Sequence, residues 1–375
     1  MLRTPFILFL LLIGPAAYGQ SYDELNNKVI QLSNEGKYAE AIPVALKAKE
    51  AAQKEFGDTS AAYATSMNNI AFLNETIGNY DIAKTLYIQV IAIRKKLLGE
   101  EHPFYASSLY NLAYLYVHTG NDAAAEPLFK KVLAIRKKAL GEDDIDYINT
   151  MIDLAHLYDR TYRYADEEAL YNELLVLVKK VSGEESMDYV SILNNLAFTY
   201  VNAGNYLSAE PLFKEALALV KKLKGEENPD YASILSNLAS AFQKLGNYSA
   251  AEPLFLRSLT ITEKVLGKEH NDYSNRLNNL AFLYQETGRY TAAEPLFKEA
   301  LNIRKKVLGE EHPDYARVLN NLAGLYGLMG NYSAAESLWS QVLAIQKKAL
   351  GEEHPEYANT LSNLAALYND QGKYE

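Results

Sequence analysis

The chain has 375 residues, with 37 basic and 47 acidic side chains and a formal net charge of −10. Hydrophobic residues make up 49% and charged residues 22%, which is typical of a globular protein with a large core. The acidic balance argues against nucleic acid as a partner, since such proteins carry a basic stripe. The absence of cysteine excludes disulfides, thiolate metal sites and a lipoprotein anchor.

Residues 1–19 have the pattern of a secretory signal peptide. Arg3 supplies a basic start, Phe6 to Ile13 form an apolar run, and Ala17-Tyr18-Gly19 places small residues at −3 and −1. The run is short for a membrane span, although an uncleaved anchor is the main alternative. We expect cleavage before Gln20, no stable membrane insertion afterwards, and a bacterial protein exported to the periplasm or the extracellular space.

Residues 20–62 fit a 42-residue pattern imperfectly. Gly36 and Tyr38 keep its register, but Lys28 and Val29 stand where later units have leucine and alanine. Terminal units of repeat arrays are atypical because one face meets water. We therefore interpret 20–62 as a degenerate N-terminal capping repeat.

From residue 63 to residue 375 the 42-residue period is regular. Tyrosine recurs at this step from Tyr63 to Tyr357, and alanine recurs from Ala71 to Ala365, without insertion or deletion. Such an array is quasi-one-dimensional, because each unit packs on its neighbours and together they form an elongated surface. This organisation favours binding over catalysis.

Residues 273–314 show what one unit contains. From Leu277 to Tyr284, apolar residues fall at i, i+3, i+4 and i+7, and a second stripe follows from Ala293 to Ile303. Gly288 and Gly309 follow these stripes, where helices end. Each unit is thus predicted to be two antiparallel helices, and the fold all-α. Asparagines suited to an N-cap precede the second helix at Asn79, Asn121, Asn205, Asn247 and Asn331.

The motif N-L-A-x-x-Y-x-x-x-G-x-Y-x-x-A-x-x-x-F, found from Asn279 to Phe297, resembles the tetratricopeptide repeat. The 42-residue length, the L-G-E-E-H-P-D-Y junction at 308–315 and the A-E-P-L-F start at 293–297 are similar to the kinesin-light-chain type. The resemblance covers 63–375 strongly and 21–62 weakly. It implies an α-α superhelix, or solenoid, of helix-turn-helix repeats that binds proteins or peptides on its concave face and needs no cofactor.

Two regions depart from the pattern. In the unit at 147–188, Tyr162 replaces the turn glycine and Arg163 replaces the capping asparagine, which indicates either a bend, a partner contact or simple drift. At 357–375 the last repeat is incomplete. We expect Leu364, Leu367 and Tyr368 to be uncovered, the chain to continue in a longer protein, and self-association to occur through this C-terminal end.

The candidate binding site is a row of asparagines, one per repeat, with Asp153 in the eighth place. An amide both donates and accepts hydrogen bonds, so it can pair with any peptide group. The resemblance implies that this row faces the concave surface. The alternative is that these amides bond to neighbouring helices and only stabilise the stack. The row consists of Asn69, Asn111, Asn195, Asn237, Asn279, Asn321 and Asn363.

Aromatic residues follow this row by three positions. The surrounding side chains are mostly neutral and polar, which favours an extended partner segment that is uncharged or mildly basic. The aromatic members of the candidate site are Phe72, Tyr114, Phe198 and Phe282.

No phosphate-binding loop, dinucleotide fingerprint, zinc-protease motif or nucleophile elbow occurs in the sequence. Four of the six histidines share one register, which separates them by at least one repeat, too far apart for a metal site. We therefore predict no catalytic residues, no metal and no cofactor. The alternative function is the regulatory part of a larger exported enzyme, for instance one with a caspase-like CHAT protease domain.

Overall fold

A computed structural model describes residues 20–352 and 354–371. The expected signal peptide at 1–19 lies outside these ranges. Within them the chain forms seventeen helices and no strand, so the predicted all-α class is confirmed. The chain divides into two compact units between Arg163 and Tyr164.

In the first unit, consecutive helices pack against one another as antiparallel pairs. The helices are α1 (Tyr22–Asn34), α2 (Tyr38–Phe56), α3 (Ala61–Thr76), α4 (Tyr80–Leu98), α5 (Pro103–His118), α6 (Asp122–Ala139) and α7 (Ile145–Arg160).

The second unit continues the same alternation of a 16-residue helix and an 18- or 19-residue helix. Its helices are α8 (Tyr164–Val181), α9 (Met187–Asn202), α10 (Tyr206–Lys224), α11 (Pro229–Lys244), α12 (Tyr248–Leu266), α13 (Asn271–Glu286), α14 (Tyr290–Leu308), α15 (Pro313–Leu328), α16 (Tyr332–Ala349) and α17 (Pro355–Asp370).

Within each unit, the core of a repeat sits between its two helices and the first helix of the next repeat. Ala281 on α13 faces Ala293 and Phe297 on α14, and all three side chains are fully buried. Leu322 on α15 packs on the same cluster. Burying an aromatic side chain of this size contributes ~1.5–3 kcal/mol, and here that gain is shared between successive repeats. The stacking of helix pairs within each unit is that of a solenoid.

The turn between the two helices of a repeat requires a positive φ. Gly288 has φ +73°, as the sequence predicts for a helix end. Tyr162, which replaces this glycine, adopts φ +58°, and its side chain is 78% exposed. It is the one non-glycine residue with positive φ in the described part of the chain. The irregular repeat therefore keeps the backbone turn at some cost in strain.

Most of the predicted asparagine caps are present. The side chains of Asn121, Asn205 and Asn247 accept a hydrogen bond from the backbone N–H three residues later, as does that of Asn331. The prediction is wrong for Asn79, whose side chain makes no cap and whose Nδ2 instead donates to Asn74 Oδ1 at 3.1 Å. Asn74 stands where other repeats have tyrosine or phenylalanine, so an amide is available there.

Lysines in the last turn of the second helix form the inter-repeat ion pairs expected for a repeated charge pattern. Each pairs with a glutamate in the junction 37 residues earlier, and all partners are exposed. Such pairs stabilise a surface only modestly. The pairs are Lys138–Glu101, Lys222–Glu185, Lys264–Glu227, Lys306–Glu269 and Lys348–Glu311.

The last helix is covered better than the sequence suggested. Leu367 is only 3% exposed because it packs on Ala323, Ala335 and Trp339, and Leu364 is half-buried beside it. The Tyr368 hydroxyl donates to Glu336 Oε1 at 2.9 Å. The expectation that these residues are uncovered is wrong for Leu367, and Leu364 and Tyr368 are partly covered, because all three contact the preceding repeat. Self-association through this end stays a prediction.

Candidate functional site

The candidate site lies on the first helix of each repeat. We call it the ladder face, and define it by the ladder register (Asn69 and its equivalents), the position three residues later and the position four residues earlier. In the first unit these positions fall on α3, α5 and α7, and in the second on α9, α11, α13, α15 and α17.

The ladder amides bond to the first helix of the preceding repeat. In each case Nδ2 donates to a side-chain oxygen 43 residues earlier, at 2.9 to 3.2 Å. This is the contact expected if the ladder stabilises the stack. The pairs are Asn69–Asn26, Asn111–Asn68, Asn237–Asn194, Asn279–Ser236, Asn321–Asn278 and Asn363–Asn320.

These bonds use only part of each amide. Among the described residues no donor binds Oδ1 of Asn237, Asn279 or Asn321. The second N–H of each is likewise without a protein partner. The side chains that accept these bonds lie one residue before the ladder register of the preceding repeat, and we call them the acceptor row. They add unpaired donors, because Asn194 and Asn278 use their carbonyl oxygen and leave Nδ2 unbonded. In these repeats of the second unit, the face therefore offers both donors and acceptors.

Two ladder positions differ from the rest. Asp153 replaces asparagine, and its Oδ2 accepts a hydrogen bond from the Tyr110 hydroxyl at 2.5 Å. Tyr110 occupies the acceptor register, so donor and acceptor are exchanged at this step. Asn195 makes no side-chain hydrogen bond within the described residues, although its side chain is half-buried.

The aromatic residues of the candidate site fall into two groups. Phe198 and Phe282 in the second unit are 40% and 39% exposed. In the first unit Phe72 and Tyr114 are half-buried. The Tyr114 ring lies 4.4 Å from that of His118 between centroids and 6.4 Å from that of Tyr110. The ladder face is thus more aromatic in the first unit and more polar in the second.

On the second helix of four repeats, a glutamate accepts a hydrogen bond from the hydroxyl of a tyrosine on the first helix of the next repeat. Desolvation and this hydrogen bond raise the pKa of Tyr200, and the Lys298 ammonium, followed by the Tyr326 hydroxyl, lowers the pKa of Glu294. These contacts join repeats without reaching the ladder face. The pairs are Tyr158–Glu126, Tyr200–Glu168, Tyr326–Glu294 and Tyr368–Glu336.

Sequence reasoning missed the acceptor row beside the ladder. A signal for it exists, since polar side chains recur there with the same 42-residue period. The row comprises Asn26, Asn68, Asn194, Ser236, Asn278 and Asn320.

The described residues contain no group of histidine and carboxylate side chains placed to hold a metal ion. Four histidines of the junction register act as N-caps instead, each accepting a backbone N–H on Nδ1 at 3.1 or 3.2 Å: His102, His270, His312 and His354. Within 20–352 and 354–371, no helix combines the length and the apolar character needed to cross a bilayer.

Solved structures with this arrangement exist. A single-substitution form of a kinesin light chain with nearly identical TPR-like repeats from Podosopora anserina (described as putative) is 25% identical, with a TM-score of 0.50 over 54% of this chain and 95% of that one. BtubC (BKLC) from P. vanneervenii is 21% identical, with a TM-score of 0.51 over 65% and 92%. The apo form of RapI is 14% identical, with a TM-score of 0.58 over 76% and 98%. The last two show the fold alone. No curated protein sequence matches the chain.

The tetratricopeptide repeat family model matches seven segments, most of them overlapping, that together span most of the sequence. They are residues 25–96, 68–138, 105–180, 188–264, 230–306, 272–338 and 319–375. The chain therefore belongs to the tetratricopeptide repeat family, and its repeats are of the kinesin-light-chain-like type.

Proposed function

We propose that the protein is a scaffold whose ladder face holds an extended peptide segment of a partner protein. Tetratricopeptide repeats are typical of protein–protein interaction scaffolds. The observation that carries the proposal is the state of the ladder amides. In Asn237, Asn279 and Asn321, one N–H is bonded to the first helix of the preceding repeat. The carbonyl oxygen and the second N–H of each amide are left for a ligand.

An amide fixed at one atom is a better ligand than a mobile one. The bond from Asn279 to Ser236 restricts the side chain before any partner arrives, so less rotamer freedom is lost on binding. The ladder can therefore stabilise the stack and contact a partner at once. The exposed rings of Phe198 and Phe282 add apolar area on the same face.

The spacing of the ladder sets the length of the segment. Neighbouring helices pack ~8–10 Å apart, and an extended chain advances ~3.3 Å per residue. One ladder position therefore corresponds to about three residues of a bound peptide. A segment of about twelve residues would span the ladder positions from Asn195 to Asn321.

A random array of synthetic 12-residue peptides tests the proposal. The full chain should select a subset of peptides, and the triple variant Asn237→Ala, Asn279→Ala, Asn321→Ala should bind them at least tenfold more weakly. Each lost hydrogen bond contributes ~0.5–1.5 kcal/mol, so three exceed a factor of ten.

Asn195→Ala and Asn194→Ala are the matched pair. Asn195 makes no bond within the described residues, so its replacement should weaken peptide binding without lowering the melting temperature. Asn194→Ala removes the acceptor of Asn237 and should lower the melting temperature more than it lowers affinity. If the triple variant binds the selected peptides as well as the parent chain, the ladder only stabilises the stack.

We also propose that the mature protein acts outside the cytoplasm of a bacterium. The basis is the basic, apolar and small-residue order of residues 1–19. N-terminal sequencing of the native protein should begin at Gln20. A start at Met1 or Leu2 would contradict export with cleavage.

A further inference from the structure

One residue at the edge of the ladder face breaks the repeat in a way that drift does not explain. Arg276 on α13 stands three residues before Asn279, in a register that otherwise holds small or β-branched side chains. The other occupants of this register are Ser66, Ser108, Thr150, Ile192, Ile234, Val318 and Thr360. A cation is therefore introduced where every other repeat places a neutral side chain.

The Arg276 guanidinium reaches the ladder face and has little to bind there. Its Nη2 donates to Ser233 Oγ at 2.7 Å, and this is its one hydrogen bond. Its Nε is buried without a partner, whereas Nη1 is unpaired but not shut off from water. Arg276 forms no ion pair with any residue of the described chain.

Other enclosed arginines are satisfied. Arg94 and Arg136 each donate to a backbone carbonyl of the following first helix and to a hydroxyl. Arg304 bonds a backbone carbonyl together with Ser274 and Asn275. Arg276 has no carbonyl and a single hydroxyl, so its charge is the least compensated of these four.

Helix α13 carries further unsatisfied groups. Besides Arg276 Nε, the buried Oδ1 of Asn271 and the buried Oε1 of Gln285 have no hydrogen-bond partner. Unpaired buried polar atoms destabilise a fold, and native proteins retain them mainly where function requires it. Several on one helix mark α13 as the least optimised first helix of the second unit.

The electrostatics agree with this picture. Burial lowers the pKa of Arg276 from its ordinary value, and the Asp272 carboxylate opposes that shift. The ladder-face side chain that it contacts, Ser233, is neutral. Asp272 acts at longer range and forms no ion pair with the guanidinium, and a planar fork of N–H donors matches a carboxylate better than any neutral group.

We propose that Arg276 binds a carboxylate of the partner segment, so that the second unit selects peptides with an acidic group at one fixed position. The inference rests on the proposed function, since it names one contact within the peptide held by the ladder. The carboxylate is either that of an aspartate or glutamate side chain or that of a chain terminus, and both present the same pair of oxygens. It revises the expectation of an uncharged or mildly basic segment.

Random 12-residue peptide arrays, synthesised once with free C-termini and once with amidated C-termini, identify the ligand. The parent chain should select peptides with aspartate or glutamate at a single position, or, if a terminal carboxylate is bound, peptides from the free-acid array only. Arg276→Gln should bind the selected peptides at least tenfold more weakly. Replacing the acidic residue by its amide should cause the same loss, with no further loss in Arg276→Gln.

Two variants act as controls. Arg257→Gln removes an exposed arginine that pairs with Glu226 on the second helix α12, outside the ladder face, and it should change affinity less than threefold. Arg276→Ile introduces the residue found at this register in the two preceding repeats. It should fold with a higher melting temperature, because the orphaned Nε is removed, and yet lose the preference for acidic peptides.

The outcomes separate the two proposals. If peptides are selected without acidic enrichment and Arg276→Gln binds them equally well, the carboxylate site is wrong and the scaffold function stands. If the parent chain selects no peptide from either array, both are overturned.

Discussion

At single positions the repeat accepts a different residue where a neighbour compensates. Trp339 occupies a register that Phe255 and Phe297 fill in the preceding repeats, and its indole is larger. Gly327 on α15 lies against it, since a Cβ added there would stand 3.7 Å from Trp339 Cη2 and from Leu367 Cδ1. The other repeats have larger side chains at the register of Gly327. The glycine therefore makes room for the indole.

A second glycine within α15, Gly324, has no neighbouring side chain that requires a glycine. A Cβ added at Gly324 would meet no atom within 4 Å. Gly324→Ala should stabilise the protein by about 0.5–1 kcal/mol, because glycine gives up more backbone freedom than alanine in a helix. Gly309→Ala, at φ +87°, should destabilise it by ~1 kcal/mol or more. Urea unfolding of both variants checks the signs. A loss of stability in Gly324→Ala would show that the backbone there is not ordinary helix.

At the ends of the helices, the repeats use different side chains to form hydrogen bonds with the same backbone N–H groups. The first helices begin at serine, asparagine, aspartate or histidine, and each cap side chain accepts a backbone N–H. At the second helix of two repeats, arginine replaces the capping asparagine. Arg289 makes no cap, but it binds Glu252 through two hydrogen bonds of 2.9 and 3.0 Å and lies 4.1 Å from the centre of the Tyr284 ring. A local cap is thus exchanged for a link between repeats.

This exchange predicts the stability of variants at Arg289. Arg289→Ala removes the ion pair and the ring contact, and should destabilise the protein by ~1–2 kcal/mol. Arg289→Asn loses the same contacts but gains a cap of ~1 kcal/mol, as at Asn247 and Asn331, so it should stay within about 1 kcal/mol of the parent chain. Thermal unfolding of both variants, with Glu252→Gln as the control, tests the balance. An equal loss in the alanine and asparagine variants would mean that no cap forms.

Over the whole chain, the 42-residue period predicted what depends on spacing and not what depends on individual atoms. It gave the two helices per repeat and the glycine turns, because periodic apolar residues and positive φ are local requirements. It left open whether ladder amides bond to neighbours, since that depends on distances between helices 43 residues apart. It did not identify Arg276 as a site residue, because a substitution in a single repeat cannot be distinguished from random sequence variation by the period alone. It predicted that Leu367 is uncovered, but this side chain packs on Trp339 of the preceding repeat.

Three surface glutamates with a lowered pKa predict how stability depends on pH. Hydrogen bonds from Lys131 and Lys95 lower the pKa of Glu100 from 4.5 to about 2, and those from Arg289 and from Lys298 and Tyr326 lower the pKa of Glu252 and of Glu294. A carboxyl with a depressed pKa in the folded protein stabilises it above the unfolded pKa, and this contribution is lost as the pH falls through the folded value. The melting temperature should therefore decline between about pH 4.5 and pH 2.

High salt distinguishes the loss of these surface ion pairs from acid destabilisation through other groups. The pairs lie on the surface, so ~1 M sodium chloride, with a Debye length of ~3 Å, should screen them at neutral pH. The difference in melting temperature between pH 7 and pH 3 should shrink accordingly. Glu100→Gln should also flatten the decline slightly, since it removes a group that both Lys95 and Lys131 contact. An acid decline of the same size in high salt, unchanged by Glu100→Gln, would show that buried groups, and not these surface ion pairs, control acid stability.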